Sequence, residues 1–196
     1  MKKENIDISK LNEVLNLLNE QLLLQGSDPV HLVVCGGSAL IATGLVPRTT
    51  QDVDVVALMD GNTLKDPEPF PEKLTKAAKT TASLLKLPED WLNCGPADLF
   101  RMGLPEGFVD RLQTKVVGIC LVMHFVSRID QIHFKLYASV DRGGYHVTDL
   151  RALKPTAEEL YTAAKWCTTQ DVSEGFLYLL KDFLKVFGFE NVAKRL

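Results

Sequence analysis

The sequence predicts a mixed α/β domain with a small mixed sheet, flanking helices and a helical C-terminal part. Three observations predict it. A long amphipathic helix opens the chain, two β-rich runs follow on either side of a glycine turn, and helix-start signals succeed one another through the last third. A chain of 196 residues suits one ordinary domain, or one domain with a helical appendix.

The first helix is capped by Asp7, presents Leu11, Val14, Leu15, Leu18 and Leu22 on one face, and ends at Gly26. Val30 to Cys35 is a short apolar run suited to a buried strand. Gly36-Gly37-Ser38 then opens a brief helix, Ala39 to Thr43, with Ser38 as the expected N-cap; Gly44 and Pro47 close it. Gln51 to Leu58 reads as the next strand, because Val53 and Val55 alternate with Asp52 and Asp54. Asp60 to Pro71 reads as loop, Pro71 to Leu87 as helix, and Pro88 to Glu106, with its scattered Pro and Gly, as irregular with room for a helical turn. Val116 to Val126, interrupted by Gly118, is either a hairpin or one bulged strand. Ser127 with Asp130, Thr156 with Glu159, and Asp171 with Glu174 each resemble a helix start. Residues 1–126 are expected to form the core and 127–196 a helical extension packed on it.

Composition excludes several classes. Hydrophobic residues at 46% and charged residues at 24% argue for a globular chain. Lys plus Arg is 22 against 25 for Asp plus Glu, so a broadly basic nucleic-acid surface is not expected. No apolar stretch reaches ~18 residues, and MKKENIDISK has no apolar run behind its lysines, so neither a membrane span nor a signal peptide is expected. The four cysteines (35, 94, 120, 167) form no C-x-x-C pair and the four histidines are scattered. Neither set has zinc-site spacing, and reduced, buried thiols in a cytoplasmic protein are the simplest reading.

Two features carry chemistry. Glycines at Gly36 and Gly37 let backbone approach an anion, and the first N–H groups of the following helix point at it. Asp52 and Asp54, two apart in a strand, project from one face. Like charges held so close in an apolar strand need a cation between them, and Mg²⁺ suits carboxylate and phosphate oxygens. A dinucleotide-binding turn fits poorly, since the third glycine is missing and the helix is short; a P-loop is excluded because no Gly-Lys-Ser/Thr follows.

The segment Cys35-Gly36-Gly37-Ser38-Ala39-Leu40, followed by Arg48-Thr49-Thr50-Gln51-Asp52-Val53-Asp54-Val55, resembles the signature of the DNA polymerase β-type nucleotidyltransferase superfamily. The Arg-x-Thr-x-Asp-x-Asp spelling is similar to the branch holding abortive-infection and toxin–antitoxin nucleotidyltransferases. Lys135-Leu136-Tyr137-Ala138 and His146-Val147-Thr148-Asp149-Leu150 resemble that branch's helical elements, with His146 in place of an acid. The resemblance implies that Asp52 and Asp54 bind Mg²⁺ and that Gly36, Gly37 and Ser38 hold the phosphates of a nucleoside triphosphate (NTP). Arg48 steadies a phosphate or makes a structural salt bridge, and Lys135 reaches the phosphates or snorkels to solvent. The acceptor would be RNA, protein or a small molecule, with an antitoxin protein as partner and no membrane.

A third carboxylate, which that superfamily usually places on a later strand, is missing from Ile119 to Val126. Asp110 is the best candidate, ahead of Asp98 and Glu106, while Asp130 reads as a capping residue and His124 as a packed strand histidine. The alternative is a degenerate module that binds a nucleotide or a protein without transfer. Trp91 either stacks on a base or anchors on the core, and Phe176, Phe183 and Phe187 form core or a partner surface.

Overall fold

The computed structural model describes residues 5–196. It divides into two units: residues up to Arg101 together with Val109–Val126, and Met102–Phe108 together with Ser127–Leu196.

In the first unit, α1 (Ile8–Leu24) begins where the Asp7 carboxylate accepts a hydrogen bond from the Lys10 N–H at 2.8 Å. Its stripe of Leu11, Val14, Leu15, Leu18 and Leu22 is buried, as the spacing requires. The chain then enters β1 (Val30–Cys35), the middle of a six-stranded mixed sheet. On one side β1 pairs antiparallel with β2 (Val53–Asp60), and on the other it pairs parallel with β6 (Leu121–Phe125). β3 (Thr63–Lys65) extends the sheet beyond β2, and β5 (Gln113–Val116) forms the opposite edge beyond β6. A two-residue strand, β4 (Leu92–Asn93), lies parallel to the start of β2.

Leu32 and Val34 of β1, Val53 and Val55 of β2, and Leu121, Met123 and Phe125 of β6 join the α1 stripe in one hydrophobic core. Leu74, Ala77, Ala78 and Ala82 of α3 (Glu72–Leu85) complete it. Alternation along the strands therefore sends Cys35, Asp54 and His124 to the other face of the sheet. Trp91 belongs to the core, fully buried, with its indole N–H donating to the Ala78 carbonyl at 3.0 Å.

Several boundaries differ from those the sequence suggests. The brief helix α2 (Gly36–Ala42) starts at the first glycine, and Cys35 is its N-cap. Ser38 lies inside its first turn, where its hydroxyl donates to the Cys35 carbonyl at 3.4 Å. β2 begins at Val53, so Asp52 stands just before the strand. The expected loop after Asp60 contains β3, because Gly61 (φ +60°) lets the chain fold back as a hairpin. The helical turn expected between Pro88 and Glu106 is α4 (Ala97–Met102), and the same stretch also holds β4. The β-rich stretch is a hairpin whose first strand starts at Gln113; its polar residues lie on an exposed sheet edge, where apolar alternation is not required.

The second unit is helical: α5 (Arg128–Asp141), α6 (Tyr145–Ala152), α7 (Ala157–Gln170), α8 (Glu174–Phe187) and α9 (Glu190–Ala193). Ser127 caps α5, and Thr156 with Glu159 forms a reciprocal capping box at α7. Arg128 ties these two starts together, bonding Glu159 at 2.6 Å and the Leu153 carbonyl at 2.7 Å. The cap of α8 is Ser173, which Asp171 supports by accepting from its backbone N–H at 2.9 Å. Among the described residues no helix is long and apolar enough to cross a membrane.

Lys135 of α5 and Asp149 of α6 form an ion pair at 2.8 Å, their side chains only 5% and 2% exposed. A lysine in that position does not snorkel. Lys135→Met removes the cation from a buried carboxylate and should destabilise the protein by about 3–5 kcal/mol. The double variant Lys135→Met/Asp149→Leu should recover most of that loss. Chemical denaturation of the three proteins measures the difference.

Candidate functional site

The β1–α2 turn organises the site. Gly36 has φ +68°, a left-handed conformation that a residue with a side chain enters only at a cost. Its missing side chain also makes room, since a Cβ there would lie 2.5 Å from Asp54 Oδ2. The sheet register explains this, because Asp54 pairs directly with Cys35, the residue before the turn. Gly37 gives room to the next pair of groups, as a Cβ on it would collide with Arg48 Nη2 and Thr50 Oγ1. Thr50 in turn donates its hydroxyl to Asp52 Oδ1 at 3.1 Å. Thr50 is held by paired backbone hydrogen bonds with Ile6, at 2.7 and 2.9 Å, so the segment before α1 fixes the approach to the carboxylates.

Gly36, Gly37, Arg48, Asp52 and Asp54 thus meet at one end of the central strands, with buried Ser38 inside the first turn of α2. Both carboxylates and Arg48 are half-buried. Two hard oxygen donors of like charge beside a glycine turn are a donor set that suits Mg²⁺ and phosphate.

Asp110 occupies a different place. It is exposed in a 3-10 turn, Val109–Arg111, that leads into β5. β1 and β6 lie between β5 and β2, a separation of roughly 14 Å at the usual strand spacing. Among the described residues, no three His, Cys, Asp or Glu side chains come together as a metal-holding group. Asp98 is exposed and pairs with Arg101, which also binds Asp66 and Glu68; this fork pins the segment after β3. Asp130 is fully buried and accepts from the Ser127 hydroxyl at 2.6 Å. Glu106 is exposed. Lys135 lies in the helical unit with Asp149, as described.

Asn93 and Thr50 are neighbours of the site; the sequence offers Trp91-Leu92-Asn93 as a lining for a base, and the structure sets Asn93 beside Asp54. β4 brings Asn93 into register with Asp54, and Asn93 Oδ1 accepts from the Gly95 N–H at 2.8 Å. A two-residue strand leaves no periodic signal. Thr50 was visible only as part of a spelled motif.

On the same sheet face, His124 joins a chain of side chains across three strands. Its Nε2 lies 3.1 Å from His31 Nδ1 on β1, and its Nδ1 lies 2.9 Å from Thr114 Oγ1 on β5. The two rings stack with centroids 5.4 Å apart. Burial, and secondarily the neighbouring His31, lower the pKa of His124 below its ordinary value near 6.5. The unfolded chain therefore binds the extra proton first as pH falls. The stability this contributes is complete above pH 6.5 and is lost as pH drops through the lowered value. Melting temperatures between pH 7.5 and 5 should fall less steeply for His124→Asn than for the wild type.

The geometry agrees with a comparison of families. A family model described as a nucleotidyltransferase of unknown function (DUF6036) matches residues 9–153. The chain belongs to that family. The matched segment runs from α1 through α6 and includes both aspartates, both turn glycines and Lys135. Searches of curated proteins and of solved structures gave no match. The nucleotidyltransferase family carries with it a nucleotide as substrate class; neither acceptor nor partner follows from it.

Proposed function

We propose that this protein is a Mg²⁺-dependent nucleotidyltransferase that moves a nucleotidyl group from an NTP to an RNA, protein or small-molecule acceptor. The observation that carries the reading is the close seating of Asp54 against Gly36 at the start of α2, with Asp52 joined to the same turn through Thr50. Asp52 and Asp54 would hold the ion, which when bound neutralises phosphate charge in an in-line displacement. The backbone N–H groups at Gly37 and Ser38 bind the terminal phosphates, and the Gly36 conformation lets them approach. Arg48, over Gly37, orients a phosphate oxygen. The acceptor oxygen or nitrogen attacks the α-phosphorus, its bond to the leaving oxygen breaks, and pyrophosphate departs while the acceptor loses a proton. The Arg48-x-Thr50-x-Asp52-x-Asp54 spelling supports the toxin-like branch, with an antitoxin protein as partner. Buried thiols at Cys35, Cys120 and Cys167 suit a reducing cytoplasm.

The position of Asp110 favours a second reading, a nucleotide-binding member without transfer. Incubation with Mg²⁺ and each α-labelled NTP in turn, with cell RNA and protein as acceptors, tests the two. Incorporated label that Asp110→Ala abolishes makes Asp110 the third acid. Label that survives Asp110→Ala keeps the enzyme and removes Asp110. Triphosphate binding with no incorporation under any condition leaves the second reading.

A further inference from the structure

Asp52 and Asp54 are held by different means. Asp54 lies inside β2, with Cys35 of β1 on one side in register and Asn93 of β4 on the other. Asp52 stands one residue before β2, outside the ladder, and Thr50 holds it. The Thr50 hydroxyl donates to Asp52 Oδ1 at 3.1 Å and lies 3.4 Å from the Asp52 carbonyl oxygen. Thr50 is itself buried and closed in from two further directions. Gly37 lies against it, where a Cβ would stand 2.6 Å from Oγ1. Ile6 meets it in a reciprocal backbone bridge: the Ile6 N–H donates to the Thr50 carbonyl at 2.7 Å, and the Thr50 N–H donates to the Ile6 carbonyl at 2.9 Å. The Ile6 side chain is fully buried in the core that α1 shares with the sheet, and the next residue, Asp7, caps α1. A loop position beside the carboxylates is thereby tied to the core through the segment ahead of α1.

We infer that Thr50 is a positioning residue for the divalent cation, and that the Ile6 bridge braces it there. The role rests on the proposed reading of Asp52 as a ligand of Mg²⁺. A carboxylate on a loop rotates about two side-chain bonds and loses that freedom when it takes an ion. The Thr50 proton occupies one lone pair of Oδ1 and fixes the carboxylate plane, which leaves Oδ2 and the remaining lone pair of Oδ1 to the cation. The carboxylate is thus oriented before the ion arrives, and outer partners of this kind set metal affinity nearly as strongly as the ligands do. Coupling between two places is reciprocal. A brace that tightens metal binding is itself tightened by the metal, so the backbone bridge between Ile6 and Thr50 opens less often once the ion is bound.

Titration of the full chain with Mg²⁺, followed by Tm and by amide hydrogen exchange, tests both parts without any nucleotide or acceptor. Thr50→Val keeps the shape of the side chain and removes the hydroxyl. It should raise the Mg²⁺ concentration needed for a given rise in Tm by roughly 10–100-fold. Thr50→Ser, which restores the hydroxyl, should recover most of the wild-type response. The residual response of Asp52→Asn should be unchanged when Thr50→Val is added, because the hydroxyl acts through that carboxylate. In the wild type, saturating Mg²⁺ should slow exchange at the Ile6 and Thr50 amides by roughly tenfold or more and leave the amides of β3 unchanged. A Thr50→Val protein with the wild-type Mg²⁺ response overturns the positioning role. So does a Thr50→Ser protein as impaired as Thr50→Val, or a full further loss on top of Asp52→Asn. A wild type whose Tm rises with Mg²⁺ while exchange at Ile6 and Thr50 stays the same overturns the brace. A wild type whose Tm ignores Mg²⁺ is a different failure: it removes the metal reading itself, and the role of Thr50 with it.

Discussion

Asp54→Asn is expected to lower nucleotidyl transfer by on the order of 10³-fold, the scale on which lost transition-state charge stabilisation is felt. The substitution keeps the shape of the side chain and removes the charge, so the helix α2 and strand β2 that frame it should be undisturbed. Asp54 is the carboxylate seated on the Gly36 turn, and its loss should be felt first in metal binding. An ion at one hundred times its Kd stabilises the folded state by about 2.7 kcal/mol, a rise in Tm of roughly 5–10 °C for a chain of this length. The wild type should show such a rise on titration with Mg²⁺, and Asp54→Asn should lose most of it. This readout does not depend on knowing the acceptor. A full Mg²⁺ response in the variant would remove Asp54 from the metal site.

Gly36→Ala should reach the same loss by a different route. At φ +68° the added side chain costs about 1–2 kcal/mol through the backbone alone. The new Cβ would then lie 2.5 Å from Asp54 Oδ2, closer than atoms can stand, so the carboxylate must move or the turn must open. We expect a lower Tm together with loss of the Mg²⁺ response and of triphosphate binding. Gly37→Val separates the two effects. Gly37 is not in the left-handed region, so the fold should survive, while the branched side chain displaces Arg48 and Thr50 from above the turn. Unaltered triphosphate binding by a folded Gly37→Val protein would take Gly37 out of the site. Gly36→Ala with wild-type Tm and wild-type Mg²⁺ response would do the same for the Gly36 turn.

Asp54→Asn and Gly36→Ala do not by their Tm divide the second reading from the first. In a protein that binds nucleotide without transfer, both still abolish the Mg²⁺-linked rise in Tm. Only the incorporation of label distinguishes that case from an active enzyme.

The features legible in the residues alone are local and periodic. The α1 stripe at three- and four-residue spacing, the capping residues Asp7, Ser127 and Thr156, and the apolar run Val30 to Cys35 each fix conformation through neighbours within one turn or one strand. The glycine turn and the Asp52–Asp54 pair were legible for the same reason, since their chemistry is spelled in adjacent residues. Sequence did not reveal which glycine adopts positive φ, because two adjacent glycines tolerate it equally and only the direction of β1 into α2 selects Gly36. Ser38 is not the cap because the helix starts three residues earlier than Ala39, at Gly36, with Cys35 as its cap.

Tertiary structure alone decided what lies across from what. Cys35 opposite Asp54, Asn93 beside it, and Thr50 held by Ile6 are all pairings between distant segments, set by sheet register and edge contacts that leave no mark in either segment. The burial of Lys135 against Asp149, rather than its exposure, depends on how α6 returns along α5. The placement of Asp110 beyond an edge strand follows from strand order β2-β1-β6-β5, a property of how the chain closes its sheet. Local spacing determines which face a side chain takes on its own element; which partner meets that face is settled only when the elements dock.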